Sequence, residues 1–154
     1  MSMKVIMNDE VFRKKGYHIS TDPALLDVDF IFHFLNQESY WAQGISREII
    51  ERSIAESLCF GVYHDEKQIG FARIITDKST FAYLSDVFIS KTYRKQGLAK
   101  WLLQSMMAYP DLQNLRRWML ATADAHTLYE KFGFTQLNSP NRWMQKFTPY
   151  QKQD

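Results

Sequence analysis

The sequence predicts an α/β fold of the α+β kind: one domain over residues 1–154, with a mixed, mostly antiparallel central sheet flanked by about four helices. Three observations predict it. The chain has 154 residues, enough for one ordinary domain and too few for two. Its middle holds three β-branched and aromatic runs separated by short polar turns, the pattern of antiparallel hairpins. A strand, helix, strand crossover occurs clearly once, from Thr80 to Ala121, which makes those two strands parallel within an otherwise antiparallel sheet.

Taken along the chain, the order reads β-α-α-β-β-β-α-β-α-β-β. Asp22 can cap a helix whose first position suits Pro23, and Leu25, Val28, Phe32 and Leu35 continue it at helical spacing. A second helix begins at Ser46 and uses Ile49, Ile50 and Ile54, leaving Ser39–Gly44 as an aromatic loop between the two. Leu58–His64, Gln68–Thr76 and Thr80–Ile89 are the three strands. After Gly97 the helical period returns with Leu98, Trp101, Leu102 and Met106 and stops before Pro110. Leu115–Ala121 reads as a strand, and Ala125, Leu128, Tyr129 and Phe132 form a helical stripe ended by Gly133. Phe134–Leu137 and Arg142–Phe147 are expected as closing strands.

Composition excludes several classes. Hydrophobic residues are 45% and charged residues 23% of the chain, a globular balance rather than a disordered one. A formal charge of +2 does not announce a nucleic-acid binder. The lone Cys59 excludes an internal disulfide framework and a Cys-rich zinc site, and the four histidines lack metal-ligand spacing, so no metal is expected. No apolar run reaches the ~18 residues of a membrane span, and the start lacks the apolar core of a secretory signal. The expectation is a cytoplasmic protein with no membrane or nucleic-acid partner, monomeric or homodimeric.

The most informative stretch is Tyr93-Arg94-Lys95-Gln96-Gly97-Leu98-Ala99-Lys100, between a predicted strand and a helix start. A helix N-terminus offers unpaired N–H groups and partial positive charge, which suit a pyrophosphate. Gly97 lets a phosphate approach the backbone, Ala99 keeps the next turn small, and Lys91, Arg94, Lys95 and Lys100 make the surroundings electropositive. The segment is neither a Walker loop nor the three-glycine dinucleotide fingerprint. On these residues alone, a phosphate site and a basic surface turn both stand.

Arg94-Lys95-Gln96-Gly97-Leu98-Ala99 matches Arg/Gln-x-x-Gly-x-Gly/Ala, and about one strand later Ala125, Leu128, Tyr129, Gly133 and Phe134 match Ala-x-x-Leu-Tyr followed by Gly-Phe. Together, in this strand and helix order, they resemble the GCN5-related N-acetyltransferase (GNAT) family from about Leu58 to Phe134. The resemblance implies a GNAT-like fold and a single N-acetyltransferase domain with acetyl-coenzyme A as donor. It implies that the amides from Lys95 to Ala99, through Gln96, Gly97 and Leu98, hold the pyrophosphate, with Arg94 and Lys100 beside them. It implies that the main chain of Val87 and Ile89 pairs with the pantetheine arm, and that a bulge opens the central strand and frees an amide for the thioester carbonyl. Thr122 stands where many members have Asn near the cofactor, so that contact departs from the family pattern; Asp124 is expected to cap the following helix.

Acetyl transfer to an amine needs a neutral nitrogen, a stabilised oxyanion and a protonated leaving thiolate. Tyr129 matches the family's general acid; its alternative is a packed core tyrosine beside Leu128 and Phe132. Asp86, on the central strand, is the in-chain candidate for the base. If the hairpin turns near Lys78–Ser79, Phe71 faces Asp86 and Arg73 lies diagonal to it, so an ion pair with Arg73 is the alternative. Tyr40 and Trp41 fall where the family's acceptor loop lies; they shape an acceptor pocket or plug the sheet. The leading function is transfer of an acetyl group to a primary amine of a small molecule or a protein. The alternative is a non-catalytic CoA-binding module of the same fold, serving as sensor or docking domain.

Overall fold

The computed structural model describes residues 3–151. Its sheet has five strands in the order β1 (Tyr17–Ser20), β2 (Leu58–His64), β3 (Lys67–Thr76), β4 (Phe81–Ile89), β5 (Arg117–Leu120). β1 to β4 run antiparallel and β5 joins β4 in parallel, because α4 (Leu98–Met107) carries the chain across the sheet between them. The predicted α/β architecture therefore stands, with five α-helices among the described residues rather than about four.

The additional helix is α1 (Met3–Lys14), which lies ahead of the first predicted element. It is held to α4 by polar and aromatic contacts. Trp101 Nε1–H donates to Asp9 Oδ1 at 2.6 Å, and Phe12 stacks on Trp101 with ring centroids 4.8 Å apart. The helix expected from Pro23 is two pieces: a single 3-10 turn at Pro23–Leu25, capped by Asp22 as expected, and α2 (Val28–His33), capped by Asp27. α2 runs into a wider π turn at Phe34–Glu38, where Ser39 N–H reaches back to Phe34 O. α3 (Arg47–Ala55) starts at Ser46 as predicted, its hydroxyl accepting from Ile49 N–H.

The sheet separates two cores. Phe60, Ile74, Leu84, Leu98, Trp101, Leu102 and Tyr129 belong to the core under α1, α4 and α5 (His126–Glu130). Ile31, Phe34, Leu35, Ile50, Phe71 and Phe88 form the other, under α2 and α3. Alternation along β4 reveals a break. Ala82 and Leu84 face the α4 side, and so do Val87 and Ile89, one residue out of step. The extra residue is a β-bulge: Arg73 pairs with Ser85 and Phe71 with Phe88, leaving Asp86 and Val87 opposite Ala72. Phe71 therefore does not face Asp86, as a regular hairpin predicts.

The two expected closing strands are not formed. Residues 134–139 run past β5 unpaired, a 3-10 turn occupies Pro140–Arg142, and the chain beyond it has no regular structure. A strand is stable only with a hydrogen-bonded neighbour, which these segments lack here. No helix among the described residues is long and apolar enough to cross a membrane.

Candidate active site

β4 and β5 are paired only from Phe81–Arg117 to Leu84–Leu120. Beyond Leu84 they part, and residues 85–89 keep a neighbour on the β3 side alone. The bulge causes the parting. Asp86 sits at φ 54°, a left-handed conformation that costs a non-glycine residue roughly 1–2 kcal/mol and turns the strand sharply. Ser90 N–H donates to Ile69 O at 2.7 Å, so by alternation the main-chain groups of Ile89 and Val87 face the open side. The Ile89 carbonyl is taken there by Arg94 Nε–H at 2.8 Å. The gap opens into a cavity of about 690 Å³ whose wall includes Tyr40, Trp41, Asp86, Val87, Ile89, Arg94, Ala99, Thr122 and Tyr129.

The start of α4 lies at one end of this cavity. Gly97, at φ 88°, is the N-cap and offers no side-chain cap, so the first-turn amides of Leu98, Ala99 and Lys100 lack an intrahelical partner. A Cβ on Gly97 would meet nothing nearer than Phe12 Cζ at 3.7 Å; the glycine is there for its dihedral. Lys95 adds a second positive φ, 66°. Lys95 to Leu98 and Lys100 are not part of the cavity wall. Lys95 and Gln96 are exposed on the loop, and the Leu98 side chain is buried in the core, leaving only its amide to face a ligand. Gln96 is held locally: its Nε2 donates to Tyr93 O and its Oε1 accepts from Tyr17 Oη.

Tyr129 is 9% exposed. Its hydroxyl is pushed up to about 12 chiefly by burial, then by Tyr40 and Asp124. No described residue bonds that hydroxyl, so it stays protonated at neutral pH and free to donate. Asp124 does not cap α5. Thr122 Oγ1 accepts from Ala125 N–H at 3.1 Å instead, so the Thr122 hydroxyl shapes the β5–α5 loop.

The acceptor-side residues are tied down by two long-range bonds. Trp41 Nε1–H donates to Asp86 Oδ1 at 2.8 Å, and Tyr40 Oη accepts from Ala123 N–H at 3.0 Å. The Ser39–Gly44 loop thus spans the gap between β4 and the β5–α5 loop. Asp86 Oδ2 accepts from Arg73 Nε at 2.9 Å, with the two side chains 8% and 16% exposed; the ion pair that competed with the base reading is formed. Cavity residues not singled out from the sequence include Phe34 and Phe88. Phe34 stacks on Phe88 at 3.7 Å below Trp41. Phe34 falls between Phe32 and Leu35 of the predicted stripe, but the buried face of the helix is Ile31, Phe34 and Leu35.

Residues 55–136 match the model of the acetyltransferase (GNAT) domain. A Gibberella zeae protein named "Putative acetyltransferase FG08082" is 34% identical over 146 residues, covering 82% of each chain. A GNAT-family protein of Xanthomonas campestris has a crystal structure with TM-score 0.85 and 47% identity, covering 86% of this chain and 94% of its own. A GNAT acetyltransferase of Elizabethkingia anophelis, solved with acetyl-CoA bound, shares the fold with TM-score 0.59 at 15% identity, covering 78% of this chain and 76% of its own. An uncapped helix start below a parted pair of parallel strands, with this sequence match across both motifs, makes the chain an acyltransferase that belongs to the GNAT family.

Proposed function

We propose that residues 1–154 form one N-acetyltransferase domain that moves the acetyl group of acetyl-CoA directly to a primary amine, carried by a small molecule or a protein. One observation carries the reading: the separation of β4 and β5 beyond Leu84, directly above an α4 N-terminus without a side-chain cap. The residues fit the donor. The amides of Gly97 to Lys100 and the charges of Lys95 and Lys100 suit a pyrophosphate, and the open main chain of Val87 with the Ile89 N–H suits the amide-bearing pantetheine arm. Acetyl-CoA supplies an activated thioester; the protein holds it and manages charge and protons.

An alkyl ammonium titrates near ~10.4, so presenting a neutral amine at pH 7 costs roughly 4–5 kcal/mol. Asp86 was a candidate to remove that proton, but each of its oxygens already accepts a bond. In our reading Asp86 holds the bulge and Trp41 in place, and the proton leaves through water at the acceptor mouth. The main-chain N–H of Val87, freed by the bulge, donates to the carbonyl oxygen as negative charge develops there. Tyr129 donates its hydroxyl to the departing sulfur. At about 12 against ~8.5 for a thiol, full transfer is uphill by about 5 kcal/mol, so the donation accompanies C–S cleavage rather than preceding it. Tyr40 and Trp41 line the acceptor's approach.

Thiol release from acetyl-CoA across a broad amine panel tests the reading. Amine-dependent release with stoichiometric N-acetyl product supports it. CoA binding without turnover on any amine would assign the non-catalytic module instead, and absence of CoA binding would refute both.

A further inference from the structure

The end of the cavity away from α4 is acidic and aromatic. Glu38 and Asp124 both belong to its wall. Asp86 is there too, but Arg73 already balances its charge. Asp124 has no Lys or Arg partner among the described residues, and Glu38 has only His33 beside it, at 3.5 Å. Asp124 stands close to the reacting centre: after burial and Tyr40, its charge is what opposes ionisation of the Tyr129 hydroxyl. Tyr129 is 9% exposed and lines the same cavity, its hydroxyl unbonded by any described residue. Among the described residues of the wall, Arg94 is the one Lys or Arg, and its guanidinium is held to the Ile89 carbonyl, on the α4 side.

The aromatic pair beside these carboxylates offers the cavity mainly ring surface. The Trp41 N–H is given to Asp86 and Tyr40 Oη is held by Ala123 N–H, yet Tyr40 and Trp41 stay 57% and 38% exposed. Their rings stand at 82° with centroids 5.0 Å apart, two walls of a corner. An aromatic side chain whose polar end is fixed and whose ring is open presents the negative face of its π system, which attracts an alkylammonium. Two carboxylates beside such a corner repel an anion and favour a cation. The Tyr40–Ala123 bond also draws the loop across the mouth, which suits a slender chain entering end-on and obstructs a polypeptide laid across it.

We propose that the acceptor is an unbranched aliphatic amine with a second ammonium group at its far end. Glu38 and the Tyr40–Trp41 corner receive the distal ammonium, and Asp124 draws the reacting amine toward Tyr129 and the thioester. The proposal rests on the acetyl-transfer reading and adds the acceptor's charge to it. The near nitrogen, as neutral amine, bonds to the acetyl carbon as the C–S bond breaks. The sulfur takes the Tyr129 proton, the nitrogen's surplus proton restores it through water, and the distal ammonium is unchanged. An amine whose far end is a carboxylate meets like charges there. One whose far end is a hydroxyl gains neither the ion pair nor the cation–π contact.

Steady-state kinetics at saturating acetyl-CoA test it, with α,ω-diaminoalkanes from propyl to hexyl set against the amino alcohol and the amino acid of the same length. The kcat/KM of the best diamine is expected to exceed that of its amino alcohol by roughly tenfold, an exposed ion pair and a cation–π contact together, with the amino acid below both. Glu38→Gln is expected to narrow the ratio of diamine to amino alcohol by roughly twofold to fivefold, through the acceptor's KM. Asp124→Asn is expected to lower kcat/KM for both by a similar factor and to leave the ratio in place. If amino alcohols or amino acids are acetylated as well as diamines, or if a folded Glu38→Gln keeps the parent's ratio, the proposal is overturned and the acetyl-transfer reading stands. If no amine is acetylated, both fall. Should a variant not fold, the parent's ranking of the three acceptor types decides.

Discussion

Replacing Tyr129 by Phe removes one oxygen from a ring that packs edge-on against Phe134, with centroids 5.9 Å apart, and leaves the ring in place. No described residue bonds that oxygen in the free protein, so stability near pH 7 should move by no more than about 1 kcal/mol. Burial lifts the hydroxyl from 10.0 to about 12, which opposes ionisation by about 3 kcal/mol. The native state therefore keeps this proton while the unfolded chain gives it up. The resulting stability is whole below pH 10 and is lost as pH rises toward 12, so the variant should show a shallower alkaline fall in Tm. Activity should behave in the opposite way. A positioned proton donor contributes roughly 10²–10⁴ in rate, so kcat should drop by that factor while CoA affinity holds. Single-turnover kinetics with acetyl-CoA and an active amine, beside melting curves from pH 7 to 11, is the assay. A loss of less than about threefold with chemistry rate-limiting would remove Tyr129 from the mechanism and return it to the core.

Gly97→Val should abolish the rise in Tm that CoA gives the parent, yet fold, because a Cβ there meets no protein atom within 3.7 Å and the left-handed φ costs about 1–2 kcal/mol; a calorimetric Kd equal to the parent's would refute the phosphate assignment. Tyr40→Phe and Trp41→Ala cut the bonds to Ala123 and Asp86 and should raise the acceptor's KM with little change in CoA affinity; lost CoA affinity or global unfolding would make the pair a plug over the sheet. Asp77 accepts from the backbone N–H groups of Ser79, Thr80 and Phe81 and from the Thr80 hydroxyl, which hold its carboxyl well below the usual range. The stability it gives is present above the ordinary carboxylate pKa and disappears as pH falls through the depressed one. Asp77→Asn should therefore flatten the acid limb of the Tm–pH curve, and an unchanged limb would count against it.

The three middle strands, α3, α4 and both motifs could be read because their signals are local: period, caps, turn residues and a glycine at a helix start. α1 escaped because its apolar residues cluster at Val5–Met7 and Val11–Phe12 rather than forming a stripe, and Trp101 recruits it from across the chain. The ion pair of Asp86 was foreseen as one of two fates, but not the bond from Trp41, which joins residues 45 positions apart. Residues 134–137 and 142–147 have strand composition and do not form strands, since composition reports what a segment can do and pairing depends on where a neighbour lies. For the same reason Thr122, not Asp124, bonds the start of α5: caps are chosen by backbone geometry at the end of a strand, which spacing alone does not fix.

The bulge at Asp86 makes the site depend on a count. Upstream of it, even-numbered residues of β4 look toward α4; downstream, odd-numbered ones do. Removing a single residue between Ser85 and Val87 would restore an unbroken count. Val87 and Ile89 would keep the α4 side and Phe88 its stack with Phe34, but the main chain would pair where it now stands open. Almost every side chain would survive such a deletion, and the gap would not. Side-chain exchanges elsewhere in β4 leave that arithmetic alone, so this strand can vary widely in composition while its length stays fixed.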